Sequence, residues 1–202
     1  MKINKRMLPW KIGGHLLGIA PLGYIVWLSV SGRLGFDPVK ELIHALGFSA
    51  VLLLMATLLV TPLRKQFRKL APLIGIRRLL GLWTFFWACA HVLAFAWLEL
   101  GWDVAFLAQE IVKRPYMLVG MAAWVLLFAL AVTSTRGMQR RLGKRWLTLH
   151  RSIYAIALLV GIHYWWSLKI VNAGDLGWIF ALWIIVALRW LPVWRRTAVG
   201  SR

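Results

Sequence analysis

The sequence predicts an all-α integral membrane protein, a six-transmembrane-helix bundle with both termini on the cytoplasmic side, and three observations carry that expectation. Six apolar stretches of about 20 residues follow one another, none charged at its centre, each long enough to cross a ~30 Å hydrocarbon core. Hydrophobic residues make up 61% of the chain and the mean hydropathy is +0.71, well above the composition of soluble domains. The charges are also segregated. Of the 25 basic residues, 20 lie in the N-terminal segment, in the connections after the second and fourth stretches and in the C-terminal tail, whereas all six acids (Asp37, Glu41, Glu99, Asp103, Glu110 and Asp175) fall in the other connections. By the positive-inside rule the basic set is cytoplasmic, and both termini with it.

The first span, residues 12–30, follows Lys2, Lys5, Arg6 and Lys11. Ser29-Val30-Ser31 at its end is reminiscent of a leader cleavage site, but the apolar run is too long for a leader core and carries Trp27, so a retained span is expected. Within it, Gly14-His15-Leu16-Leu17-Gly18 has the G-x-x-x-G spacing that admits a close helix or a flat cofactor. The second span, 42–61, opens after Glu41 with His44 at its outer end. The third, 79–98, begins just past Arg77 and Arg78 and contains Cys89 and His91. The fourth, 116–135, follows Arg114-Pro115. The fifth, 147–168, carries His150 beside Arg151 at its inner end and His163 in its outer half, and the sixth, 176–193, starts after Asp175. Trp10, Trp146, Trp190 and Trp194 at inner ends, with Trp97, Trp102, Trp165, Trp166 and Trp178 at outer ends, form two interfacial belts.

Residues 1–202 read as a single membrane domain with no internal repeat and no low-complexity segment. The longest connections, 62–78 and 99–115, are shorter than the ~30 residues of one βαβ unit, and no G-x-G-x-x-G or P-loop motif is present, so the chain does not house its own nicotinamide dehydrogenase. Electrons would come from a quinol or a separate flavoprotein and leave to a separate acceptor. The net charge of +19 does not point to nucleic acid, because the basic residues are confined to short segments between spans. Cys89 is the only cysteine, which excludes an intrachain disulfide, a cysteine-held iron–sulfur cluster and C-x-x-C-H haem attachment. It reads as a small packing residue, and any haem must be held non-covalently.

Histidine inside a membrane span is costly unless its nitrogens are satisfied, so each is a functional candidate. His91 lies 13 residues beyond Arg78 and His163 lies 12 beyond Arg151, which puts both at about 20 Å from the inner boundary. Two imidazoles at one depth suit the two faces of a haem iron. Ala88, Ala90, Ala94 and Gly161 would let a porphyrin approach, and Trp87, Phe95 and Trp166 would wall it. His150 is the candidate ligand of a second, inner haem, with His15 as its candidate partner; His44 reads as an interfacial residue. His150 and His163 are about 140° apart on an ideal helix, so a lateral offset of two haems, or a distortion such as a π-bulge near Gly161, is expected. Arg77, Arg78, Arg145 and Arg151 are candidates to pair with haem propionates or with a flavin or quinone headgroup, beside their role as topology signals and partners of membrane lipid.

The segments DPVKELIH, TPLRK, RRLLGLW followed by AHVLAF, RPYMLVG, and TSTRGMQRRLGKRWLTLHR followed by IHYWWSLKI are ordered blocks over nearly the whole chain. On these the sequence resembles the MsrQ family, the haem-binding membrane subunits of bacterial protein-methionine-sulfoxide reductase systems, within the ferric-reductase-like transmembrane group. The resemblance implies a b-type cytochrome that passes electrons from the quinone pool, or from a cytoplasmic flavin reductase, to a periplasmic molybdenum-cofactor reductase that repairs oxidised methionines. It implies haem b and FMN as cofactors, and it carries the family's haem histidines onto His91, His150 and His163. The wider group has a histidine pair on both ligand helices; here the lower position of the third span falls in the Arg77, Arg78 region, so an inner haem lacks its usual partner. No residue reads as catalytic for sulfoxide chemistry, so the chain reads as a relay subunit. Alternatives are the same relay with ferric iron as acceptor, and a metal transporter or assembly factor, for which discontinuous helices and paired intramembrane acids are lacking.

Overall fold

The computed structural model describes residues 7–168 and 172–188. Lys2, Lys5 and Arg6, the tail from Arg189 to Arg202 with Trp190 and Trp194, and positions 189–193 of the expected sixth span lie outside the described residues. All regular structure among the described residues is helical, and the chain divides into two compact units, Met1–Val104 and Ala105–Arg202.

In the first unit, helix α1 (Leu8–Val30), helix α2 (Pro38–Gln66) and helix α3 (Arg77–Ala94) pack together, with a 3₁₀ segment (Arg68–Gly75) joining α2 to α3. The start of α2 is written in its sequence: the Asp37 side chain accepts from the Lys40 backbone N–H at 3.2 Å, and Pro38 occupies the first helical position, where no N–H is needed. The core is built from Leu53, Leu54, Val60, Leu80 and Trp87. Helix α1 meets α3 through its two spaced glycines, Gly14 against Leu79 and Gly18 against Trp83, and Trp87 Nε1 donates to the Gly18 carbonyl at 2.8 Å. The G-x-x-x-G spacing therefore serves helix packing. Leu16, Leu22, Val26 and Trp27 stay exposed along α1, as lipid-facing side chains do. A π-helical turn (Phe95–Glu99) ends the third span, so the π geometry expected near Gly161 lies instead just beyond His91.

A short helix α4 (Val104–Lys113) begins at the unit boundary and occupies what the sequence presents as a loop. The second unit then comprises helix α5 (Pro115–Val132), two short helices α6 (Arg136–Leu142) and α7 (Lys144–His150), helix α8 (Ile153–Ser167) and helix α9 (Ala173–Leu188). Thr135 caps α6 by accepting from the Met138 N–H at 3.2 Å, and Gly143, at φ +51°, makes the left-handed corner into α7. Helix α8 packs on both α5 and α9 around the fully buried Ile156, Ala157 and Leu182.

Four helical stretches, Leu8–Val30, Pro38–Gln66, Arg77–Glu99 and Pro115–Val132, are long and apolar enough to cross a membrane, which fits a multi-pass membrane protein. The expected fifth span is not one helix. It breaks at Arg151 and Ser152, where the Ser152 N–H bonds to Leu149 O at 3.0 Å and the Tyr154 N–H to Arg151 O at 3.2 Å, leaving α8 with 15 residues. The Ser152 hydroxyl bonds back to Leu149 O at 2.7 Å, the kind of local competition that bends helices. Helix α9 is described over 16 residues.

Candidate functional site

Two histidines, one in each unit, are held in the same way. His91 on α3 has Nδ1 2.9 Å from the carbonyl oxygen of Ile43 on α2. His163 on α8 has Nδ1 2.7 Å from the carbonyl oxygen of Tyr116 on α5. A carbonyl oxygen only accepts, so Nδ1 carries the proton in each ring, and in the neutral imidazole Nε2 bears the lone pair. Fixing one ring nitrogen on a backbone carbonyl is how proteins set the tautomer of metal-ligating histidine.

The local sequence explains why these carbonyls can be reached. In an α-helix the carbonyl of residue i accepts from the N–H of residue i+4, and the side chain at i+4 leans back toward the N-terminus over that oxygen. Both acceptors are followed four positions later by glycine, Gly47 after Ile43 and Gly120 after Tyr116. A Cβ at Gly47 would lie 3.0 Å from His91 Nδ1, and one at Gly120 would lie 2.6 Å from His163 Nδ1. Each ring fills the place of an absent side chain. Ile43 is in the second turn of α2 and Tyr116 in the first turn of α5, so both rings are level with the N-terminal end of the helix they lean on.

This arrangement is a structural repeat that the sequence does not announce. The two acceptors are 73 residues apart, the two glycines 73 and the two histidines 72, yet the surrounding residues differ enough that no repeat is legible along the chain. Gly47 and Gly120 are the site residues that sequence reasoning missed. Their signal was a glycine inside an apolar helix, where it costs about 1 kcal/mol relative to alanine and so has a packing reason when present.

His150 sits at the end of α7 and is half-buried. Its Nδ1 is 3.1 Å from the Trp146 carbonyl oxygen of its own helix, and its ring stacks on the Trp146 indole with centroids 3.9 Å apart. Trp146 is in turn anchored by its Nε1, which donates to Thr133 O at 2.9 Å. His150 therefore has the same tautomer as His91 and His163. His15 has the opposite one: Trp83 Nε1 donates to His15 Nδ1 at 3.3 Å, and since indole N–H only donates, the neutral His15 ring carries its proton on Nε2. His15 and His44 are exposed, as are Arg78, Arg145 and Arg151, with Arg77 half-buried.

Among the residues expected to admit or wall a porphyrin, two serve helix packing. Trp87 is buried between α1 and α3, and Gly161 lies under the indole of Trp183 on α9. Trp166 is exposed.

The donor set fits what ligation of a haem needs: imidazoles on helices, each with Nδ1 engaged by a backbone carbonyl, which leaves Nε2 as the lone-pair nitrogen of the neutral ring. In comparison with known families, the model for the ferric reductase-like transmembrane component matches residues 46–161. The match takes in Gly47, His91, Gly120 and His150 and ends two residues before His163. It covers more than half of the 202 residues, and the chain accordingly belongs to the ferric reductase-like transmembrane family.

Proposed function

We propose that this protein is the b-type cytochrome subunit of a transmembrane electron relay, in which His91 and His163 would hold haem b. Its acceptor is a periplasmic molybdenum-cofactor reductase that repairs methionine sulfoxide in proteins, and its donor is the quinone pool or a cytoplasmic flavin reductase. In this reading the chain spans the bacterial inner membrane six times with both termini inside. The observation that carries the redox reading is the shared tautomer of His91 and His163, each set by a backbone carbonyl, in a chain of a ferric reductase-like family. Haem b, held by these histidines, would supply a reversible one-electron couple.

The protein's own residues then have defined tasks. Ile43 and Tyr116 hold the Nδ1 protons, Gly47 and Gly120 keep those carbonyls open, and the apolar helices exclude water. His150 serves a second, inner haem. Arg77, Arg78, Arg145 and Arg151 neutralise propionates or an FMN or quinone headgroup at the basic face. The family's description favours one further reading, ferric iron as acceptor of the same relay.

The test is the spectrum of the purified protein. We expect a Soret band that shifts on dithionite reduction, near-complete loss of bound haem in His91→Ala and in His163→Ala, and partial loss in His150→Ala. Unchanged pigment in all three variants would sink the ligand assignment, and a wild type without a Soret band would sink the cytochrome reading and favour a metal-binding transporter or assembly factor.

A further inference from the structure

Resting on the haem reading above, we infer that Gly47 and Gly120 are positioning residues that set the electron-donor strength of His91 and His163, acting through the carbonyls of Ile43 and Tyr116 that their missing side chains uncover. Each glycine lies four residues after the carbonyl it exposes, and each histidine ring lies where a Cβ would project. The same construction occurs in both units, on unrelated local sequence, for the two rings whose Nδ1 meets the carbonyl of another helix. Other helical glycines do not do this: Gly14 and Gly18 receive Leu79 and Trp83, Gly161 receives Trp183, and Gly23 has nothing within 4 Å.

The chemical consequence follows from the direction of the bond. An imidazole that gives its Nδ1–H to a good acceptor places more electron density on Nε2 and becomes the stronger base. A stronger donor favours ferric over ferrous iron. Weakening the bond to the carbonyl therefore raises the midpoint potential and loosens ligation. The two seats are unequal, because the His163 bond is 2.7 Å against 2.9 Å for His91, and an added Cβ would stand 2.6 Å from the His163 ring against 3.0 Å from that of His91. Alanine at 120 must displace its ring further than alanine at 47.

The experiment compares purified wild type with Gly120→Ala, Gly47→Ala, Gly18→Ala and Gly23→Ala by haem stoichiometry, potentiometric titration and low-temperature electron paramagnetic resonance of the oxidised protein. Gly120→Ala is expected to retain haem at least tenfold more weakly, with altered low-spin g values. Its potential rises by about 59 mV if a tenfold loss falls wholly on the ferric form. Gly47→Ala moves the same way by less. Gly18→Ala, which crowds Trp83 without touching the seat of His91 or His163, lowers thermal stability and leaves potential and g values at wild type; Gly23→Ala changes neither. Wild-type potential and g values in both Gly120→Ala and Gly47→Ala overturn the inference, and if Gly120→Ala does not fold, Gly47→Ala decides alone. A wild type without haem removes the cytochrome reading and this inference together, whereas a pigmented wild type with unmoved glycine variants removes only the inference.

Discussion

At the scale of single residues, four of the histidines separate by which nitrogen holds the proton. His91, His150 and His163 each direct Nδ1 at a carbonyl, whereas His15 accepts at Nδ1 from Trp83. For His15 to ligate through Nε2, its neutral ring must give up that hydrogen bond or its proton position, a cost of about 1 kcal/mol before any iron is bound. We therefore expect His15→Ala to keep the full haem complement and His150→Ala to lose part of it, measured as haem per protein in the same preparation. Equal losses in the two would return His15 to the ligand set. The histidines themselves were legible in the sequence, because polar rings in apolar runs stand out. Their seats were not: the acceptors are backbone oxygens, which leave no side-chain pattern, and the residues that uncover them are marked only by what they lack.

At the scale of elements, hydropathy located the long helices to within a few residues, and it did so because lipid-facing and buried positions are both apolar. The same lack of contrast hid the break between α7 and α8, since neither proline nor glycine marks Arg151 and Ser152 and the tightened turn rests on backbone and hydroxyl bonds. The α1–α3 contact was legible from its glycines, though only the structure reveals that Trp87 locks it. Trp87 is 3% exposed and its N–H reaches a carbonyl 69 residues away on another helix. Trp87→Phe keeps most of the ring and deletes this bond, so we expect a loss of about 1 kcal/mol in unfolding free energy with no change in the haem spectrum. A stability equal to wild type in denaturant titration would show that the bond contributes nothing to holding α1.

At the scale of the whole molecule, charge carries two messages that the sequence alone blends into one. The acids fall in connections that the sequence assigns to one side of a membrane, yet several are also committed locally: Asp37 caps α2 and pairs with Lys40, Glu110 pairs with Arg114 at 2.5 Å, and Asp175, in the first turn of α9, accepts from the Tyr164 hydroxyl at 2.8 Å. Acids at the N-terminal ends of α2 and α9 are also favoured by the helix dipole, so their placement has a local cause in addition to any docking role. The choice of acceptor is best read on the assembled relay. In sealed vesicles with the periplasmic face outward and quinol supplied, we expect the haem to be reoxidised at least tenfold faster by the periplasmic methionine sulfoxide reductase than by ferric chelates at equal concentration; the reverse order would favour iron reduction. The interruption at Arg151 and Ser152 bears on the two histidines that flank it. The Ser152 and Tyr154 N–H groups each bond three residues back instead of four, and a step of that kind turns the chain about 20° further than an α-helical one, so α7 and α8 do not share one continuous helical face. The count of residues between His150 and His163 therefore does not by itself set the angle between their rings, because the rod that would carry both is interrupted between them.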